Sequence, residues 1–291
     1  MPLPDRFLTS LLVRCNGRCT LIDCGEATQL AIRKSGFGFK NIDTILLTHF
    51  HADHTAGIPG LLLTIGNSDR TEPLHIYGPL GCINIIRSIC SICGELPFEV
   101  MIHELDDKKD NSFKIGELEV KTLGLDHRIA CLGYSLKLRR AGKFNPDRAR
   151  ELGVPVPMWK TLQQGLAVEV GGRVVYPGEI MGENRRGLKI SYCTDTRPTR
   201  RMPDFVRGSD LFICEGMYSE EDKKQMARDK KHMLFSEAAS IARAGGVKRL
   251  WLTHYSPSLA DPVESIGAAR DIFPDTTPGE NNLQITLRFE D

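Results

Sequence analysis

Short apolar runs, each cut off by glycine, proline or a charged cluster, recur along this chain. Their spacing switches repeatedly between the strand period and the helix period. Leu11 to Val13 and Cys19 to Ile22 read as the arms of a hairpin, with Asn16-Gly17 as its two-residue turn. Ala27 to Lys34 predicts a short helix before Gly36, and Ile42 to Thr48 predicts a strand. Gly57 to Ile65 predicts a helix and Leu74 to Tyr77 a strand closed by Gly78-Pro79. On the helix expected from Gly81 to Cys93, Ile83, Ile86, Ile89 and Cys90 keep helical spacing. Further strands are expected at Glu117–Leu123, Tyr134–Leu138, Leu188–Cys193, Leu211–Cys214 and Arg249–Thr253. A helix over Ser236–Arg243 is capped by Gly245-Gly246. Ile285 to Phe289 alternates apolar and polar and predicts a closing strand. Strands that alternate with helices point to an α/β chain.

The strand ending at Thr48 runs into His49-Phe50-His51-Ala52-Asp53-His54, three imidazoles and a carboxylate in six residues. In extended chain His49 and His51 lie on one side. One ion cannot easily take all four side chains at this spacing. Two neighbouring ions can, with His49 and His51 on one and Asp53 and His54 on the other. Imidazole suits zinc, and a site with some carboxylate also accepts manganese or iron.

Bulk properties fit a soluble cytoplasmic protein. A chain of 291 residues, 41% hydrophobic, buries a sizeable core as one large domain, residues 1–291. No apolar run reaches the length of a membrane span, and no segment has the build of a secretion signal. Nine cysteines, an odd number at irregular spacing, argue for reduced thiols rather than a disulfide framework. Cys90 and Cys93 form a lone C-x-x-C whose neighbours suggest packing. The net charge is only +1, so any binding to nucleic acid must rest on local positive charge. Lys137, Arg139, Arg140, Lys143, Arg148 and Arg150 crowd together with only Asp147 opposing them.

HxHxDH is the signature of the metallo-β-lactamase fold, and this chain resembles that superfamily. The resemblance implies a four-layer αβ/βα sandwich with the metals at one edge of its paired sheets. It also implies three further ligands at strand ends. His127 in Leu125-Asp126-His127, Asp195 in Cys193-Thr194-Asp195 and His254 in Leu252-Thr253-His254 stand in those places.

Several segments narrow the resemblance to ribonuclease Z, the tRNA 3′-processing endonuclease. They are Pro4-Asp5-Arg6-Phe7-Leu8-Thr9-Ser10, Asp23-Cys24-Gly25-Glu26 with Thr28-Gln29, Asp195-Thr196-Arg197-Pro198, Lys231-His232-Met233-Leu234-Phe235-Ser236-Glu237, and Thr253-His254-Tyr255-Ser256. Departures accompany them. The family carries a strand and a Gly-rich turn ahead of the Pro4 segment, so its first strand is expected to be missing here or the start set late. Its Arg-Asn reads Arg6-Phe7, its His-Ser-Thr reads His232-Met233-Leu234, and its Ser-Arg-Tyr reads Ser256-Pro257-Ser258.

The resemblance then implies roles. His49, His51 and His127 hold one metal, Asp53, His54 and His254 hold the other, and Asp195 bridges them. The implied reaction is hydroxide attack on a phosphodiester, removing the 3′ trailer from precursor tRNA. Asp53 takes a proton from the nucleophile, and His232 binds the scissile phosphate and stabilises the leaving 3′ oxygen. Asp23 and Glu215 are placed to orient ligand imidazoles. Arg6 is a candidate substrate contact in the opening loop.

His127 and Asp195 stand 68 positions apart, long for one connection between strands. Residues 144–187 therefore read as an insert, and the resemblance makes it an exosite arm. Its Arg148 and Arg150 would meet phosphates and its Trp159 would stack on a base or ribose. A homodimer is the implied assembly. The competing reading is a two-metal hydrolase of the same fold acting on a small phosphodiester.

Overall fold

The computed structural model describes residue 3 and residues 6–290. Met1, Pro2, Pro4 and Asp5, on which the expectation of a displaced start rests, lie outside the described residues. β1 (Leu11–Cys15) and β2 (Arg18–Ile22) pair antiparallel. Asn16 and Gly17 between them both have positive φ, 47° and 83°, as a type I′ turn requires. α1 (Thr28–Lys34) leads to β3 (Ile42–Leu46), and the loop after β3 carries α2 (Ala52–Thr55). α3 (Ile58–Gly66), β4 (Leu74–Pro79), α4 (Cys82–Cys90) and β5 (Val100–Leu105) follow. The five strands form one sheet in the order β1-β2-β3-β4-β5, parallel from β2 onward. Ile32 of α1, Leu61 and Ile65 of α3 and Ile86 of α4 bury against Leu21, Ile45 and Ile76 of that sheet. That burial is what fixes β3, and hence the position of the His-rich loop.

The second sheet begins with β6 (Ser112–Ile115), β7 (Leu118–Gly124) and β8 (Leu132–Arg140). Residues 137–188, with residues 287–290, then form a separate compact unit. It holds α5 (Pro146–Glu151), α6 (Val156–Gln163), and the hairpin of β9 (Val168–Val170) and β10 (Arg173–Val175). Gly171 and Gly172, at φ 57° and 78°, turn that hairpin. Ala149, Val154, Leu162, Val175 and Ile180 make its small core.

β11 (Arg185–Cys193), α7 (Met202–Val206), β12 (Leu211–Glu215), α8 (Lys224–Lys230), α9 (Phe235–Gly245), β13 (Leu250–Thr253), α10 (Gly267–Ile272) and β14 (Thr276–Pro278) complete the chain. The seven-stranded sheet runs β14-β13-β12-β11-β8-β7-β6, with β11 to β14 parallel. Val206, Ala238, Ala242 and Ala269 of α7, α9 and α10 cover Phe212, Cys214, Leu250 and Leu252. Tyr134 donates its hydroxyl to the Leu47 carbonyl at 2.7 Å, and the Leu132 N–H donates to Thr48 O at 2.9 Å, joining the two sheets. Helices thus cover the outer face of each of two paired sheets, the four-layer sandwich expected.

Ile285–Phe289 corrects the expectation of a closing strand, because no strand forms there. β14 already closes the sheet. Phe289 instead lies under the Arg140 guanidinium, 4.9 Å from its ring centre, and the Glu290 carbonyl accepts from Arg140 at 2.7 Å. No helix among the described residues is long and apolar enough to cross a membrane.

Candidate metal centre

Parallel strands end together, so residues just past their C-terminal ends converge at one edge. Asp23 follows β2, His49 to His54 follow β3, Asp195 follows β11 and His254 follows β13. Asp23, Asp195 and His254 all take left-handed backbone, with φ of 57°, 53° and 56°. That conformation is costly for residues with a Cβ and clusters at functional sites. Two glycines let the loops meet. A Cβ on Gly25 would lie 2.3 Å from the Asp53 carbonyl, and one on Gly57 2.2 Å from the Gly25 carbonyl. Through that contact the Cys24 N–H donates to His54 O and the Gly57 N–H to Cys24 O.

Among the described residues three clusters of potential metal ligands result, each with its ligand atoms within 4.8 Å of one another. They are His49, His51, His127 and Asp195; Asp53, His54 and His254; and Asp195, His232 and His254. In the first, His51 Nδ1 lies 3.0 Å from His49 Nε2 and 3.3 Å from His127 Nε2. In the second, His254 Nε2 lies 3.3 Å from His54 Nε2 and 3.2 Å from Asp53 Oδ2. Two nitrogens bound to one tetrahedral zinc at its usual bond length stand about 3.3 Å apart. Asp195 divides its oxygens between the clusters. Oδ2 is 3.7 Å from His49 Nε2 and 3.9 Å from His127 Nε2, whereas Oδ1 is 3.3 Å from both His54 Nε2 and His254 Nε2. This donor set fits divalent metal.

Supports differ from ring to ring. Asp23, fully buried, accepts from His54 Nδ1 at 2.8 Å, which leaves Nε2 for a metal. It also accepts from the Thr48 N–H at 2.8 Å and the Thr48 hydroxyl at 2.9 Å. His49 Nδ1 faces the Thr48 hydroxyl at 3.0 Å, and His127 Nδ1 donates to the Lys231 carbonyl at 3.3 Å. His254 Nδ1 has no hydrogen-bonding partner among the described residues. Glu215 departs from its expected place. It holds no ring of the first two clusters but accepts from His232 Nδ1 at 3.0 Å, and its other oxygen takes the Thr196 N–H. As the last residue of β12 it sits beside the end of β11, facing the turn that carries His232.

Charge follows the same geometry. Burial disfavours a charged His54, yet the Asp195 and Asp23 carboxylates outweigh it and hold the imidazole well above its usual range. Burial, with the neighbouring His54, pushes His49 down to about 2. Burial would raise Asp195, but His254 and His54 hold it well below the carboxylate range. Asp53 is held low against burial by its bond to His254 and by the charge of His54. Burial raises Glu215, with the His232 bond pulling the other way.

The remaining site candidates lie elsewhere. Arg6 donates to the Leu259 carbonyl at 3.1 Å and the Ser256 carbonyl at 3.4 Å, and covers Tyr255. It braces the loop after His254. Arg148 pairs with Glu151 and Arg150 with Asp147, all on the compact insert. Trp159 donates its indole N–H to the Val154 carbonyl at 2.9 Å and packs on Phe144. Arg197, not among the site residues expected from the sequence, grips Glu237 with both terminal nitrogens and also donates to the His232 carbonyl. The Asp195-Thr196-Arg197-Pro198 segment was its one visible signal.

Paired sheets with a His/Asp centre at their edge define a hydrolase of the metallo-β-lactamase fold. In three dimensions the chain is similar to human tRNase Z, short form, with a TM-score of 0.70 and 26% identity over 99% of this chain and 95% of that one. The metallo-β-lactamase fold protein YhfI from Bacillus subtilis gives 0.66 at 18% identity, covering 96% and 91%. In sequence, residues 4–151 match the family model described as Anti-Pycsar protein Apyc1. Ribonuclease Z of Lachnospira eligens is 46% identical over 291 residues, all of this chain and 95% of the relative. Ribonuclease Z of Clostridium acetobutylicum is 46% identical over 295 residues, covering 100% and 96%. The chain belongs to the ribonuclease Z family.

Proposed function

We propose that this protein is a two-metal endoribonuclease that removes the 3′ trailer from precursor tRNA. The observation that carries this is the divided Asp195 carboxylate, with an imidazole cluster at each oxygen, in a chain that belongs to the ribonuclease Z family. His49, His51 and His127 would hold one ion, Asp53, His54 and His254 the other, with Asp195 shared. Zinc suits this mostly imidazole set, and manganese or iron is compatible with its carboxylates. Such ions, when bound, supply an activated water at neutral pH and polarise a phosphoryl oxygen.

The chain's own residues do the rest. The Asp53 side chain keeps 35% of its exposure and stays ionised, so it is placed to take the proton of the attacking water. His232 lies between the clusters, its ring centre 5.5 Å from that of His127 and 5.6 Å from that of His254. Glu215 accepts from Nδ1, which orients the ring and leaves Nε2 for the scissile phosphate and the leaving 3′ oxygen.

Residues 137–188 supply the local positive charge, ten Lys or Arg against five Asp or Glu, in a chain whose total is +1. We assign this unit to gripping the tRNA body through phosphates. Arg148 and Arg150 are exposed and form surface ion pairs, which phosphates displace at little cost, and the Arg150 guanidinium lies 5.6 Å from the centre of the Trp159 ring. Trp159, half-buried, packs against the core of that unit. Nine free cysteines, most of them buried, suit a reducing cytoplasm. A homodimer rests on the family resemblance alone and is tested by sedimentation.

The test is His232→Ala assayed on a 3′-extended precursor tRNA, with metal content measured in parallel. Turnover should fall by about 10²–10⁴-fold at unchanged metal content. Because His232 shares a cluster with Asp195 and His254, a variant that instead loses metal would make it a ligand and overturn the assignment.

A further inference from the structure

We propose that Arg197 is a positioning residue for the reaction, the clamp that sets His232 over the metal centre. The inference rests on the role given to His232 above.

Arg197 stands two residues after Asp195, and its side chain is mostly buried, as is that of Glu237. Its guanidinium meets the Glu237 carboxylate in a two-pronged pair, 2.8 Å from Nη1 to Oε2, with Nη2 on Oε1. Nη1 also donates to the His232 carbonyl. Glu237 in turn accepts the Leu234 N–H at 2.9 Å, which fixes the first turn of α9. One side chain therefore ties the turn after a ligand to the backbone of His232 and to the helix that follows it.

Backbone contacts continue the clamp. The Arg197 N–H donates to the Asp126 carbonyl at 3.0 Å, and the Asp126 N–H donates to the Thr196 hydroxyl at 3.0 Å. Lys231 Nζ donates to the Asp126 carboxylate at 2.9 Å. Lys231 itself is held at φ 61°, and its carbonyl accepts from the ring of His127. The segment around Lys231 and His232 thus touches a ligand ring on one side and the clamp on the other. Without Arg197, the His232 backbone would keep only the hydrogen bond of its own N–H to the Ala227 carbonyl and the contacts of its neighbours. Lysine cannot replace the fork, because an ammonium presents no planar pair of donors to a carboxylate.

A clamp on His232 must act on the leaving group. Expulsion of a ribose 3′ oxygen needs His232, whereas an aryl leaving group departs without a proton. The experiment compares His232→Ala, Arg197→Lys and Glu237→Gln, all metal-loaded, on a 3′-extended precursor tRNA and on bis(p-nitrophenyl) phosphate. Arg197→Lys should lose about tenfold or more in kcat on the tRNA, with KM held within about threefold. It should lose less than about threefold on the aryl ester, at the parent's metal content and melting temperature. Glu237→Gln should show the same selective loss to a smaller degree, and carries the test alone if Arg197→Lys does not fold. If His232→Ala loses both substrates equally, or neither, the role of His232 is wrong and the clamp falls with it. If His232→Ala is selective but the clamp variants are unchanged, or lose both substrates together with metal, Arg197 is a structural residue only.

Discussion

Replacing Asp23 separates the hydrogen-bond support of the centre from its shape. Asp23 is fully buried and takes the Thr48 N–H, the Thr48 hydroxyl and His54 Nδ1 on its two oxygens. Asp23→Ala takes the acceptor from all three donors at once. The hydroxyl can rotate to another partner, but the amide and the imidazole N–H are left in the interior. Each buried donor without a partner costs about 1–3 kcal/mol, so the loss is about 2–6 kcal/mol before any relief from removing the carboxylate. Asp23→Asn keeps the volume and one oxygen for Thr48. Its NH₂, however, faces His54 Nδ1 and forces that nitrogen to accept. The ring hydrogen then moves to Nε2, the atom that would bind metal. Asparagine should therefore cost less stability than alanine yet lose about 10–100-fold in metal affinity, the usual effect of removing such a support. Urea denaturation of the metal-free variants gives the first quantity, and competition with a chromophoric chelator gives the second. An Asp23→Asn protein that folds and binds zinc as tightly as the parent would refute the reasoning, because His54 would then not need Asp23 to set its tautomer.

Three further outcomes follow from the same geometry. Metal-free His54 is held protonated by Asp195 and Asp23, so a metal must displace that proton. Zinc affinity should be at least about tenfold weaker at pH 6 than at pH 8, and calorimetry in two buffers should show proton release. A pH-independent affinity would contradict this. The sign is opposite for the metal-free fold, where a raised His54 stabilises at low pH and ceases to as pH climbs through its folded value. Gly57→Ala should destabilise by about 1–3 kcal/mol, because its Cβ would meet the Gly25 carbonyl, and a loss under half a kcal/mol would mean that the loops part freely. Excising residues 144–181 and joining Lys143 to Gly182, whose backbones already bond at 2.8 Å, should leave small-ester hydrolysis within about threefold. Cleavage of precursor tRNA should fall by about tenfold or more, and equal loss on both substrates would make the insert part of the catalytic body.

What could be read in the sequence was what is local. His49, His51, Asp53 and His54 lie within one loop, so their shared chemistry shows in their spacing. The strand that delivers them is buried throughout and runs out through the apolar Ile45-Leu46-Leu47, which marks it as an interior strand. Asn16-Gly17 announces its own turn. The rest was set by contacts between distant segments. Arg197 and Glu237 are 40 positions apart, and nothing local to either segment shows that the two pair. β5 and β6 are not legible in the sequence because each is partly exposed and carries polar residues such as His103 and Lys114. Ile285–Phe289 has the alternation of a strand, but alternation makes a strand only where a sheet edge receives it. In the sequence Trp159, in a Pro/Gly-rich stretch, reads as a residue that would stack on a base or ribose. Its indole instead bonds Val154 and packs on Phe144, because the insert has a core of its own.

The most direct test of the central claim is to map the ends produced from a 3′-extended precursor tRNA by zinc-loaded protein, with bis(p-nitrophenyl) phosphate run in parallel. The account predicts a single cut just after the discriminator base, leaving a 3′-hydroxyl on the tRNA and a 5′-phosphate on the trailer. Chelation should abolish the cut and restored zinc should return it. Turnover of the small ester with the precursor left intact would contradict it, and would point to a hydrolase of this fold acting on a small phosphodiester.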